Sequence, residues 1–346
     1  MFSKSCAYKT KPKPMNKNLH FRPAMILFWI LAVIGCGGRW LPGSPPDVIR
    51  SDHLAIVTVK AQDSLQTLAQ THLGDHRKAH WIAEYNGVQK IKPGMRLAIP
   101  LKPFLSGGLR PEGYQTVPVL LYPRIVADGG TERSLSAGTF ENHLQYLNTN
   151  GYSTVSLDRL AAFFNLEDQL PPNAFVMTFD SAERWVYDLA YPLLKRYGYT
   201  AAVFIPTGSV GNPKNITWAE LAEMAAAGFD IGASGIAARN LTNVARGTDP
   251  EAHLKELEAQ ISQPQKAIAQ HLKTQCRYFA YPEGETDDMI IALLKKHGYR
   301  AGFTQQRGSN PFFVDTYKVR RSLLAMQGDA MQLRQNLTTF VSAELR

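Results

Sequence analysis

Asn173-Ala-Phe-Val-Met-Thr-Phe-Asp-Ser181 is the stretch on which the fold turns. Ala174 to Phe179 reads as a strand, and Asp180 stands where that strand ends. Downstream, Trp185 to Tyr197 reads as its helix, Thr200-Ala-Ala-Val-Phe-Ile205 as the next strand, and Trp218 to Ala227 as a further helix. Upstream, Val117-Pro-Val-Leu-Leu-Tyr122 predicts the first buried strand, and Phe140 to Leu147 a helix ending near Asn150-Gly151. Asp230-Ile-Gly232, Arg277 to Tyr281 and Arg300 to Thr304 supply more strands. Repeated βα units of this size predict an α/β fold with a mostly parallel sheet, open or closed. In a closed sheet, chemistry sits where strands end and loops begin.

The chain of 346 residues is long enough for one large domain and a small one. Its net charge of +9 suggests nucleic acid until its distribution is read. Lys4, Lys9, Lys11, Lys13, Lys17 and Arg22 precede Cys36 with no acidic residue among them, leaving about +3 on the remainder. No basic stripe with interleaved aromatics remains, so the reading excludes DNA and RNA. The charge belongs to targeting. Ala24-Met-Ile-Leu-Phe-Trp-Ile-Leu-Ala-Val-Ile-Gly35 is short for a membrane span but suits a signal-peptide core. Val33-Ile34-Gly35-Cys36 resembles a bacterial lipobox, which implies lipidation at Cys36; an ordinary signal peptide or short anchor with an incidental cysteine is the alternative. Either Met1 or Met15 serves as the start. The expectation is an exported envelope lipoprotein, compatible with an outer-membrane position facing the periplasm. Beyond Cys36 only Cys276 remains, so no disulfide framework exists.

Residues 37–55 read as an extended tether and 102–115 as a second linker, both glycine- and proline-bearing. Between them, Ile56-Val-Thr-Val59 predicts a strand, Asp63-Ser64 a helix N-cap, and Trp81-Ile82-Ala83-Glu84-Tyr85-Asn86 a second helix closed by Gly87. Ile91-Lys-Pro-Gly-Met-Arg-Leu-Ala-Ile-Pro100 turns into a closing strand. This βααβ unit, with Asn86 and Lys92-Pro93-Gly94 in place, resembles a LysM module. The resemblance implies binding of peptidoglycan or another N-acetylglucosamine-containing polysaccharide, with Asp63, Ser64 and Asn86 among the glycan contacts. A LysM fold that has lost affinity and serves as a spacer is the alternative.

From 116 to 330 several motifs occur in order: Asn173 to Ser181, Leu193-Leu-Lys-Arg-Tyr-Gly198, Ala202-Val-Phe-Ile205, Gly228-Phe-Asp-Ile-Gly232, Asn240-Leu-Thr242 and Phe279-Ala-Tyr-Pro-Glu-Gly284. Together they resemble the polysaccharide deacetylase (NodB-homology, carbohydrate esterase 4) family. The resemblance implies a distorted (β/α) barrel that removes acetyl groups from a sugar polymer. Its divalent metal, such as zinc, is held by one aspartate and two histidines, and a neighbouring aspartate acts as base.

Carried over residue by residue, Asp180 falls on the base position, but Ser181 falls on the metal-ligating aspartate. Ser234 and Ala238 fall on the two histidines, and Tyr122-Pro123-Arg124 stands where related enzymes often read Tyr-His-Arg. No ligand of the triad survives, so no cofactor is expected. A catalytic metal brings water from a pKa near 15.7 to roughly 7, about eight decades of hydroxide availability. A general base alone typically supplies about 10²–10⁴-fold. The barrel therefore reads as a pseudoenzyme that keeps a glycan groove, Tyr281 included. The alternative is an active N- or O-acetyl deacetylase, or a glycan hydrolase with rearranged residues. For the latter, Asp180 and Glu283 would form a carboxylate pair. Glu283 as a solvated turn residue is the simpler reading, and Asp180 reads either as a cap of the following turn or as an inherited groove contact. His253, His271 and His297 lie on predicted helices as surface or core residues. Trp185, Tyr187, Tyr191 and Tyr197 read mostly as core, Arg320-Arg321 as a solvated edge, and Cys276 as inert. The organisation expected is leader 1–36, linker 37–55, LysM 56–101, linker 102–115, barrel 116–330 and tail 331–346.

Overall fold

The computed structural model describes residues 48–104, 106–110, 112–131, 134–243, 249–324 and 330–343. The leader and Cys36 lie outside the described residues. A small unit comes first: β1 (Val48–Arg50), β2 (Leu54–Thr58), α1 (Leu65–Leu73), α2 (Ala79–Asn86) and β3 (Arg96–Pro100). Its three strands pair antiparallel in the order β1-β2-β3. Ser64 starts α1 with a reciprocal cap. Its hydroxyl accepts from the Thr67 N–H at 3.1 Å, and the Thr67 hydroxyl accepts from the Ser64 N–H at 2.8 Å. Ala55, Val57, Leu97 and Ile99 face Leu68, Ala69 and Ile82 in a separate small core. The βααβ order holds, with one addition. Residues 48–50, expected in a tether, add a strand, because the outer edge of β2 offers unpaired backbone groups.

The large domain begins inside the stretch expected to be the second linker. β4 (Leu109–Arg110) folds back on β5 (Gly113–Leu121), Leu109 opposite Tyr114. Then follow β6 (Arg124–Val126), β7 (Ser134–Ser136), α3 (Ala137–Thr149), β8 (Ser153–Thr154), α4 (Leu157–Phe164) and β9 (Ala174–Phe179). A π-helical turn over Val186–Ala190 leads into α5 (Tyr191–Tyr197). Next come β10 (Ala202–Ile205), α6 (Trp218–Ala226), β11 (Asp230–Ala233), α7 (Pro250–Leu272), β12 (Tyr278–Ala280), α8 (Asp288–Lys296) and β13 (Ala301–Phe303). β14 (Ser309–Pro311), β15 (Ser322–Leu323), α9 (Ala330–Gln335) and β16 (Phe340–Ser342) complete it.

β5-β9-β10-β11-β12-β13 run parallel. Phe303 pairs with Val319 and Ser322 with Leu120, so 319–323 bridges the two margins and the sheet curls into a distorted barrel. β9 is buried along its whole length, as a parallel strand covered on both faces must be. Phe175, Met177 and Phe179 meet the helical layer. Ala174 and Val176 face the interior with Phe204 and Phe303, above Leu157 and Leu160 of α4. Gly232 is required there, since a Cβ would stand 2.4 Å from the Phe204 ring.

The last residues are no tail. β16 pairs antiparallel with the start of β5, Phe340 opposite Gln115, and Leu333 and Leu337 are buried in the helical core. The small unit is also docked. The Trp81 indole N–H donates to the Gln169 carbonyl at 2.9 Å, Gln169 Nε2 donates to Glu84 at 2.8 Å, and Arg110 pairs with Glu84.

Candidate functional site

β9 delivers Asp180 to the rim of the barrel. Its carboxylate does not cap the following turn; Ser181 does that, its hydroxyl accepting from the Glu183 N–H at 3.0 Å. Asp180 instead meets Arg321, whose Nη1 and Nη2 reach Oδ1 and Oδ2 at 2.6 and 2.7 Å. Arg321 is fully buried, donates through Nε to the Thr304 carbonyl at 2.8 Å, and lies over the Phe204 ring. Sequence reasoning placed Arg321 on a solvated edge. The signal that would have found it is alternation: Val319 is buried, Arg320 exposed and Arg321 buried, so the arginine follows a core valine on one face. A planar fork matching both carboxylate oxygens makes the pair a charge-assisted clamp across the barrel.

The positions carried over as metal ligands do not fit a metal. Ser234 is 4% exposed and its hydroxyl donates to the Ala280 carbonyl at 3.1 Å, turning its proton toward the sheet. Ala238 offers a methyl group, and the Ser181 hydroxyl is engaged in its turn. Neutral hydroxyls and a methyl are poor substitutes for carboxylate and imidazole. Among the described residues, no group of three or more His, Cys, Asp or Glu side chains is placed to hold an ion.

Glu283 sits in a turn with φ +61°, a left-handed conformation uncommon for a residue with a side chain. It accepts from Asn240 Nδ2 at 3.3 Å, on the loop that carries Ala238. A surface depression of about 390 Å³ is lined by Glu283, Glu285, Thr286, Thr304 and Gln305, without Asp180. The Asp180–Glu283 pair that the glycan-hydrolase alternative needs is not formed: Arg321 takes one carboxylate and Asn240 the other. Tyr281 also departs from expectation. It is fully buried, donates to the Tyr317 carbonyl at 2.8 Å, and burial pushes its phenol upward, so it is core rather than a groove residue. Tyr122 is likewise buried, and its hydroxyl has no hydrogen-bond partner among the described residues.

Three small-unit residues serve local structure. Asp63 accepts from the Lys60 N–H at 2.7 Å, and Ser64 caps α1. Asn86 donates to the carbonyls of Ile82 and Ala98 at 2.8 and 2.7 Å and accepts from the Ala98 N–H at 2.9 Å, tying α2 to β3. Both N–H groups of the Asn86 amide and one acceptor position of its oxygen are used within the fold. Cys276 is buried, its thiol pushed up to about 12 by burial. His297 meets Glu258, and His271 stacks on Trp218.

This curled sheet, with a carboxylate at the end of β9, is the frame within which the likenesses to known proteins fall. Residues 167–302 match the family model described as polysaccharide deacetylase, and the chain carries a polysaccharide deacetylase domain. It is 27% identical over 205 residues to YxkH of Bacillus subtilis (strain 168), named as a polysaccharide deacetylase, covering 59% of this chain and 70% of that one. It is 25% identical over 193 residues to the poly-beta-1,6-N-acetyl-D-glucosamine N-deacetylase of Staphylococcus aureus (strain MSSA476), covering 53% of this chain and 66% of that one. In fold it resembles the Streptococcus pyogenes deacetylase PplD, with a TM-score of 0.58 at 19% identity, covering 64% of this chain and 98% of that one. The de-N-acetylase from Aggregatibacter actinomycetemcomitans gives 0.57 at 22% identity, covering 64% and 100%.

Proposed function

We propose that this protein is an exported envelope lipoprotein, anchored at Cys36, that binds cell-wall glycan or exopolysaccharide without hydrolysing it. The observation that carries the reading is the content of the ligand positions: Ser181, Ser234 and Ala238, with the Ser234 hydroxyl committed to the sheet. Arg321 engages both oxygens of Asp180, so the one remaining family residue is held as half of an ion pair. The polymer class is supported by the relative from Staphylococcus aureus, whose name specifies poly-beta-1,6-N-acetyl-D-glucosamine. The βααβ unit supports a LysM-type contribution to glycan binding, and the leader supports export and lipid attachment.

A second reading has one observation in its favour: an aspartate stands at the base position at the end of β9. On that reading the domain deacetylates with rearranged residues. Metal analysis of the purified protein separates the two, combined with acetate release from N-acetylated oligosaccharide and glycan pull-down. Saturable retention of polymer with no acetate and no stoichiometric metal is expected. Acetate release with a stoichiometric metal overturns the non-catalytic reading.

A further inference from the structure

The seam between the small unit and the barrel forms an open pocket of about 420 Å³, within the ~300–1,000 Å³ usual for small-ligand pockets. Its walls include Glu84 from α2, Arg110 from β4, Glu112, Gln115 from β5, Asn173 and Phe340 from β16. It is separate from the rim carrying Asp180 and Glu283, neither of which lines it. Asp63 and Ser64 do not line it either.

The chemistry of the walls is selective. Glu84 is already matched by Arg110 and Gln169, so the arginine brings no uncompensated positive charge. Glu112 is exposed and adds one negative charge. Gln115 is 6% exposed; its Nε2 donates to the Pro171 carbonyl at 2.6 Å, while its Oε1 accepts nothing from the described residues. That oxygen is not sealed from solvent, so a ligand hydroxyl or N–H would take the place of water there. Gly108 keeps that oxygen approachable: its φ is +62°, and a Cβ there would stand 2.7 Å from Oε1. Phe340, half-buried opposite Gln115, offers an apolar ring. A carbohydrate presents both hydroxyl donors and apolar C–H faces, and an ammonium substituent complements Glu112; a phosphate or carboxylate would meet repulsion.

We propose that this seam binds a segment of amino-sugar polymer bearing free ammonium groups. A sugar hydroxyl donates to Gln115 Oε1, one sugar face packs on Phe340, and the ammonium pairs with Glu112. The proposal deepens the glycan-binding reading and rests on it, and the two fail separately. The test is calorimetric titration of the full chain in detergent with soluble glucosamine oligomers and with fully N-acetylated oligomers of equal length. The parent protein should bind the glucosamine oligomer more tightly. Glu112→Gln should weaken that binding roughly tenfold and leave the N-acetylated oligomer unaffected, and Phe340→Ala should weaken both at least about tenfold. Parent-like binding by both variants overturns the seam site and leaves glycan binding standing. Tighter binding of the N-acetylated oligomer overturns the ammonium assignment. No binding of either oligomer by the parent protein overturns both readings. Should Phe340→Ala fail to fold, Glu112→Gln, on an exposed turn, carries the test alone.

Discussion

At the scale of single residues, the Asp180–Arg321 pair dominates. Arg321 has no solvent contact, so removing its partner leaves an uncompensated buried cation. Asp180→Ala should therefore lower unfolding free energy by about 3–5 kcal/mol, measured by urea denaturation. Asp180→Asn, which keeps one acceptor oxygen, should cost less. A purely catalytic aspartate would leave stability unchanged on substitution. The ligand positions give a second prediction. Ser181→Asp with Ser234→His and Ala238→His should create a divalent-metal site readable by calorimetry, while any single change should not. The histidine at 234 must displace a 4%-exposed hydroxyl bonded to Ala280, so a metal-induced rise in Tm is the sensitive readout. Failure of the triple variant to bind metal would mean that more than the ligands has changed.

At the scale of elements, β11 begins on a carboxyl in an unfavourable setting. Burial, opposed by the Leu157 N–H at 2.8 Å and reinforced by nearby Asp158, pushes Asp230 up to about 6. Such a group favours folding while protonated, and that contribution is lost as pH rises through about 6. The effect is at most ~3 kcal/mol, and less because part of Asp230 meets solvent. Asp230→Asn should raise Tm at pH 7.5 and have little effect near pH 4. An equal shift at both pH values would contradict the burial account. In the small unit, Ser64→Ala removes one half of the reciprocal cap on α1 and should cost about 1 kcal/mol. These elements were legible in sequence because each has a local signature: Asp63-Ser64 before a helical period, Gly87 after one, apolar runs for β5, β9 and β10. The edge strands were not. β1, β4 and β16 are short and weakly patterned, and they form because a neighbouring strand leaves backbone groups to pair.

At the scale of the whole molecule, the two folded parts and the C-terminal segment form one packed body. Removing 330–346 takes away β16 and the buried Leu333 and Leu337, so the truncated chain should lose cooperative unfolding rather than shed a dispensable tail. Calorimetry of the truncated protein is the check; an unchanged transition would mean that the segment contributes nothing to the core. The seam pocket exists only at this scale, since its walls come from α2, β4, β5 and β16.

The order of motifs by itself determined the α/β barrel class, the small βααβ unit and the content of the metal positions, because strand periodicity and residue identity are local properties. Tertiary structure alone decided which charges meet. It paired Asp180 with Arg321, 141 residues away in the chain, separated Asp180 from Glu283, and buried Tyr281. Burial and ion pairing depend on which faces the sheet brings together when it curls, and that arrangement is set by packing of the whole barrel.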